Sequence, residues 1–132
     1  MTEEWQIEFY SDNEEEISPV RQFLQDAALT KGELKQLQLR LKLLQAYGLQ
    51  LLIKRSDILA KIKGEDNLYE LRLDNTPHNP RIFLCALTGK RLVLLHGFKK
   101  KSQKTPKREI TKAIQRQKRL LEREDNQNEE EQ

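Results

Sequence analysis

Apolar and polar positions alternate strictly near the start of the chain. In WQIEFY, residues 5–10, Trp5, Ile7 and Phe9 share one face while Gln6 and Glu8 occupy the other. That alternation predicts a half-buried strand. After an acidic run at 12–16, Ser18-Pro19 announces a helix, because Ser is a good N-cap and Pro loses nothing at the first helical position. Val20, Phe23, Leu24 and Ala27 form its apolar stripe. A second helix is predicted over 30–47, where Leu34, Leu37, Leu41 and Leu44 recur at three- and four-residue spacing. Gly48 stands where a helix wants a C-terminal residue of positive φ. Together the two helices predict an αα-hairpin whose leucine faces turn toward a sheet.

Residues 49–66 mix apolar and basic side chains without a single period, so no element is assigned there. From residue 67 the texture changes to NLYELRLD and then PRIFLCALTGKRLVLLHGF. These are near-continuous apolar runs of the kind that central strands need. The turn-rich break at 74–80 and the Thr88-Gly89-Lys90 turn separate strands on short connections, which implies an antiparallel meander. Thr105-Pro106 repeats the Ser18-Pro19 device. Ile110, Ala113, Ile114, Leu120 and Leu121 supply one stripe of a last helix whose other face is Lys and Arg. The order β-α-α-β-β-β-α describes a compact α+β domain, with helices packed on one face of the sheet. One domain is expected over 1–123, with 12–16 as an acidic insert. Residues 124–132 are polar and aperiodic and are expected to be disordered.

Composition narrows the class. The chain has 132 residues, 36% hydrophobic and 34% charged, with mean hydropathy −0.82. The core is therefore small, and no apolar run approaches the roughly 18–20 residues that span a bilayer. The acidic N-terminus lacks the positive start of a secretory signal, and one cysteine, Cys85, excludes an internal disulfide framework. A cytoplasmic setting with no membrane contact is expected. The net charge of +3 hides a strong segregation. Residues 1–16 hold seven acids and no base, and residues 122–132 hold six acids and one base. Between 90 and 119, twelve bases face a single acid, Glu109. Such a concentration is either a solvated face or the footprint of a polyanionic partner.

The candidate chemistry is cationic. None of the glycines belongs to a GxGxxG or P-loop pattern, and no nucleophile elbow is present, so no cofactor is expected. Two histidines and one cysteine make a metal site improbable as well. Strand parity puts Glu70 and Arg72 on the face opposite Tyr69, Leu71 and Leu73. Arg72 then either pairs with Glu70 or opens onto a concave sheet surface, where its guanidinium fork suits a phosphate. Arg81 begins the next strand and is expected near Arg72, or as a solvent-facing charge at the strand end. His96 lies in an apolar strand, as a satisfied core histidine or as a catalytic group. Phe98 is a core anchor or a base-stacking surface. Lys99, Lys100, Lys101, Lys104, Lys107 and Arg108 crowd the link to the last helix with only Glu109 nearby.

In order along residues 64–109 come Lys63-Gly64, Leu68-Tyr69-Glu70-Leu71-Arg72, Pro80-Arg81-Ile82-Phe83, Leu94-Leu95-His96-Gly97-Phe98-Lys99-Lys100-Lys101, Gln103-Lys104-Thr105-Pro106 and Arg108-Glu109-Ile110. This succession resembles the HigB-like branch, often described as phage-derived proteins, of the RelE/ParE toxin superfamily. The leucine-rich helices and Tyr47-Gly48 also fit, so the resemblance covers about 5–122. It implies a RelE-like α+β toxin of a type II toxin–antitoxin pair. Such a toxin acts as a ribosome-dependent mRNA endonuclease and is silenced by a cognate antitoxin, in this branch often of helix-turn-helix type. The related ParE toxins share the fold and poison gyrase instead, so fold alone does not fix function.

The resemblance further implies an active site on the concave face of the sheet. Arg72 and Arg81 would hold the scissile phosphate, and Lys100 and Lys101 would neutralise charge or shuttle protons. His96 is a candidate acid or base. Lys99, Lys104, Lys107, Arg108 and Phe98 would contact RNA. Attack by the RNA's own 2′-OH needs a base, an acid and stabilisation of a dianionic phosphorane, none of which requires a metal. Well-known relatives place a tyrosine, histidine or acid near the C-terminal end, but no tyrosine follows Tyr69 here and the last helix has no histidine. The general acid and base are therefore unassigned. A gyrase-directed toxin and a non-catalytic basic RNA-binding module are the two alternatives.

Overall fold

The computed structural model describes residues 4–13 and 16–130. Five strands form one sheet: β1 (Gln6–Phe9), β2 (Leu59–Lys61), β3 (Tyr69–Arg72), β4 (Pro80–Leu87) and β5 (Arg91–Lys99). Their spatial order is β1-β5-β4-β3-β2, with β1 parallel to β5 and every other pair antiparallel. The helices are α1 (Pro19–Asp26), α2 (Lys31–Tyr47), the single turn α3 (Leu51–Lys54) and α4 (Lys107–Glu130). Among the described residues, no helix is long and apolar enough to cross a membrane.

The helix starts follow local chemistry. Ser18 Oγ accepts the Val20 N–H at 3.2 Å, with Pro19 in the first turn of α1. Thr30 and Glu33 close a capping box on α2, at 3.0 and 2.9 Å. Gly48 ends α2 with φ +54°, and a Cβ there would stand 2.0 Å from the Trp5 indole. The glycine thus admits the indole of Trp5, just ahead of the first strand, against the helix end.

Alternation along β3, β4 and β5 splits the core between two faces. Leu71, Leu73, Ile82, Leu84, Leu92 and Leu94 join Val20, Leu37 and Leu44 of α1 and α2 on one side. Leu68, Phe83, Cys85, Val93 and Leu95 join Ala113 and Leu120 of α4 on the other. The expectation that all helices pack on one face is thereby corrected. Central strands that are apolar on both sides must be covered on both sides.

Two further differences concern elements. The aperiodic stretch after Gly48 contains α3 and β2, both too short to display a period, so the meander has four strands rather than three. The last helix starts at Lys107, one residue later than the Thr105-Pro106 pattern predicts, with the Ile110 N–H directed at the Pro106 carbonyl. It then runs on to Glu130, through most of the tail expected to be disordered. Arg91 at the start of β5 fastens that extension by bonding both Glu8 of β1 and Glu124 of α4. Residues 14, 15, 131 and 132, parts of the two acidic segments, lie outside the described residues. Asp12 accepts hydrogen bonds from Tyr10 and Arg119.

Candidate functional site

On the α4 side of the sheet, Glu70 and Arg72 of β3 line a cavity together with Thr105 and Ile110 near the start of α4. The register sets Arg72 directly opposite Arg81 on neighbouring strands, as the sequence suggested. Two like charges so placed would repel, and Glu70 offsets this. Its buried carboxylate accepts the Arg72 Nε–H at 2.8 Å and stands 3.6 Å from Arg81 Nε. The contact engages only the Nε edge of Arg72. Its two Nη groups make no hydrogen bond among the described residues, and about a third of the side chain is exposed.

Arg81 is placed differently from the expected strand-end charge. Only 4% of it is exposed, and its Nη1 donates to the carbonyls of Leu73 at 3.1 Å and Pro80 at 3.3 Å. Its Nη2 pairs with Asp74. The guanidinium therefore ties the β3–β4 loop to its own strand, because buried carbonyls at a strand end need donors. The same loop is held from the other side. Glu33 of α2 accepts the His78 backbone N–H at 2.9 Å and contacts His78 Nδ1 at 2.7 Å. Burial works to raise the Glu33 pKa, but hydrogen bonds from His78, Thr30 and Thr76 prevail and bring it down to about 2.

The lysines after β5 complete the site. The Lys100 N–H bonds the Asn79 carbonyl at 3.1 Å, which brings the start of the basic loop beside β4. A cavity of about 500 Å³ is lined by Asn79, Arg81, Lys100, Lys101, Ser102 and Gln103. A second, of about 260 Å³, has Lys61, Ile62, Lys63, Glu70, Arg72, Lys100, Thr105 and Ile110 around it. Lys100 lines both, so the two lobes lie side by side. Arg72, Arg81, Lys100 and Lys101 thus come together.

The other candidates do not line either lobe. Lys104, Lys107 and Arg108 are exposed on the loop and the first turn of α4, and Lys99 is half-buried in the last position of β5. Phe98 is 7% exposed and packs on Phe83, with ring centroids 5.1 Å apart. The core has taken it, and no face is left on which a base could stack. His96 is equally enclosed. Its Nδ1 accepts from Arg116 at 2.8 Å, so its Nε2 carries the proton that meets Glu109 at 2.5 Å. Burial lowers the His96 pKa against the raising pull of Glu109. A one-residue slip in register, with Phe83 opposite His96 and Leu84 opposite Leu94, turns both Leu95 and His96 toward the α4 side. Both ring nitrogens are spent on fastening α4 to the sheet, and neither opens on the groove.

Sequence reasoning missed Lys61 as a groove residue, and used Lys63 only as part of a motif. Both come from the stretch with no readable period. Glu70 was visible as a partner for Arg72, but not as the carboxylate shared by two arginines.

A family model described as Phage derived protein Gp49-like (DUF891) matches residues 27–118. No curated protein matches the chain.

Proposed function

Because the chain belongs to the Gp49-like family of phage-derived proteins, within the RelE/HigB-like toxins of toxin–antitoxin pairs, we propose that it is a HigB-like, ribosome-dependent mRNA endonuclease. The observation that carries this reading is the groove: Arg72, Lys100 and Lys101 converge beside Arg81, and its one carboxylate, Glu70, is already engaged by arginine. A cleft with surplus positive charge and donors left free suits an anion that gains charge as it reacts.

In this reading the Nη fork of Arg72 takes two non-bridging oxygens of the scissile phosphate. Glu70 fixes the fork by its Nε edge, so little rotamer entropy is lost on binding. Lys100 and Lys101 neutralise the phosphorane formed when the 2′-oxygen attacks phosphorus and the 5′-oxygen leaves. One of these ammonium groups donates the proton to that leaving oxygen, and the proton of the attacking 2′-OH passes to solvent water. Arg81 acts from beneath, through its field and by holding the β3–β4 loop. His96, enclosed between Glu109 and Arg116, takes no part in proton transfer. The ribosome supplies orientation of the mRNA, which places the 2′-oxygen in line. A single domain over 1–123 carries the activity in the cytoplasm, and a cognate antitoxin, often of helix-turn-helix type in this branch, silences it.

The test incubates purified protein with a defined mRNA, with and without programmed 70S ribosomes, and maps new 5′ ends by primer extension. Cuts that depend on ribosomes are expected. Folded, antitoxin-free protein that cuts in neither reaction would refute the endonuclease and favour gyrase inhibition or simple RNA binding.

A further inference from the structure

Asn79 lines the larger lobe together with Lys100 and Lys101. Three of its four polar groups are already committed. Its carbonyl accepts the Lys100 N–H at 3.1 Å, and its own N–H donates to Thr76 Oγ1 at 3.1 Å. Its side-chain Oδ1 accepts the Thr76 N–H at 3.1 Å, which fixes the orientation of the amide and leaves Nδ2 as a donor. Thr76 also bonds the buried Glu33, so the turn that carries the amide is anchored to α2. Among the described residues Nδ2 makes no hydrogen bond, and it is not one of the buried polar atoms without a partner, which are Arg40 Nε and Arg81 Nε. It is therefore open to solvent, on a residue that lines the lobe. The backbone is unusual as well. A residue before proline is pushed toward extended conformations, but Asn79 precedes Pro80 and takes φ +43°. Such strain persists only where the surroundings over-determine it, and it clusters at ligand clamps.

We propose that Asn79 is a further substrate-binding residue, its Nδ2 donating to a non-bridging oxygen of the scissile phosphate from the side of the larger lobe. The proposal rests on the endonuclease reading above. Flexible ammonium groups supply charge with little direction, whereas this amide is held at three atoms and offers its N–H bonds in a fixed direction. A donor so held loses almost no freedom on binding, and its contact strengthens as the phosphate gains charge. Asparagine also suits a left-handed turn for local reasons alone. That role by itself predicts that aspartate changes nothing, because aspartate keeps Oδ1 for the Thr76 N–H and tolerates the same φ.

The experiment measures, by fluorescence anisotropy at a fixed salt concentration, binding of a short single-stranded RNA that is 2′-O-methylated throughout and so cannot be cut. Melting temperatures are taken in parallel. Asn79→Asp replaces the donor with an acceptor of the same shape. Asn79→Gly removes the amide without adding charge and accepts the positive φ. Asn75→Asp is the control, because Asn75 is exposed in the same loop, has φ +60° and lines neither lobe. Both Asn79 variants are expected to bind about tenfold more weakly, Asn79→Asp with the wild-type melting temperature, while Asn75→Asp stays within about twofold of the wild type. The proposal is overturned if either Asn79 variant binds like the wild type, if Asn75→Asp weakens binding as much, or if the wild-type protein binds no RNA. Ribosome-dependent cutting judges the endonuclease reading separately. Cutting by the wild type beside undiminished binding in Asn79→Asp removes only the role of Asn79. Weakened binding in both variants of a protein that never cuts keeps the phosphate contact and removes the endonuclease.

Discussion

Replacing Arg81 with alanine should unfold part of the site before it says anything about chemistry. The side chain is 4% exposed, donates to two backbone carbonyls, pairs with Asp74 and lies 3.6 Å from Glu70. Removing one member of a buried ion pair costs about 3–5 kcal/mol, because it leaves its partners without compensation. Two features pull the figure toward the lower end. Asp74 is half exposed and recovers water, and Glu70 keeps Arg72. A loss of about 3 kcal/mol should lower the melting temperature by on the order of 10 °C in a domain of this size. Arg72→Ala removes a side chain that is about a third exposed and should cost only about 1 kcal/mol. The assay is thermal unfolding followed by circular dichroism for both variants, beside growth arrest. The reasoning is refuted if Arg81→Ala melts within about 2 °C of the wild type, or if Arg72→Ala is the less stable of the two. Loss of toxicity in Arg81→Ala alone therefore reports folding, and Arg72→Ala is the variant that reports on phosphate binding.

Lys100→Ala and Lys101→Ala should each lower ribosome-dependent cutting by about a hundredfold while stability stays within about 0.5 kcal/mol of the wild type; single-turnover cleavage and urea melts check both. His96→Gln should destabilise by about 1–3 kcal/mol through its effect on Glu109 and Arg116, and the cutting rate per folded molecule should stay the same. Because burial depresses the His96 pKa, the unfolded chain binds the extra proton first. The contribution of His96 is thus fully present above the unfolded value of about 6.5 and is lost as pH falls from there through the folded pKa. Urea midpoints across that range should slope in the wild type and flatten in His96→Gln. Glu33→Gln should remove a second acid-side loss, which in the wild type runs from the ordinary carboxylate range down to about 2; unchanged acid unfolding would show that Glu33 does not hold the β3–β4 loop.

The sequence by itself determined the elements whose signals are local. Ser18-Pro19 and the Thr30/Glu33 capping box set helix starts within one turn, and the alternation of Trp5, Ile7 and Phe9 marked a strand without reference to any other part of the chain. Parity within β3 likewise placed Glu70 and Arg72 on one face, and the crowding of lysines after β5 was plain from composition. Tertiary structure alone decided what those residues became. Arg81 is buried because the β3–β4 loop folds back over its strand, and His96 is enclosed because α4 covers the second face of the sheet. Lys61 and Lys63 reach the groove only because β2 pairs with β3 to extend the sheet. The physical reason is range. A cap or an alternation is satisfied by neighbours a few residues away, whereas the burial of a charge and the sharing of a carboxylate depend on which distant strands meet and in what register.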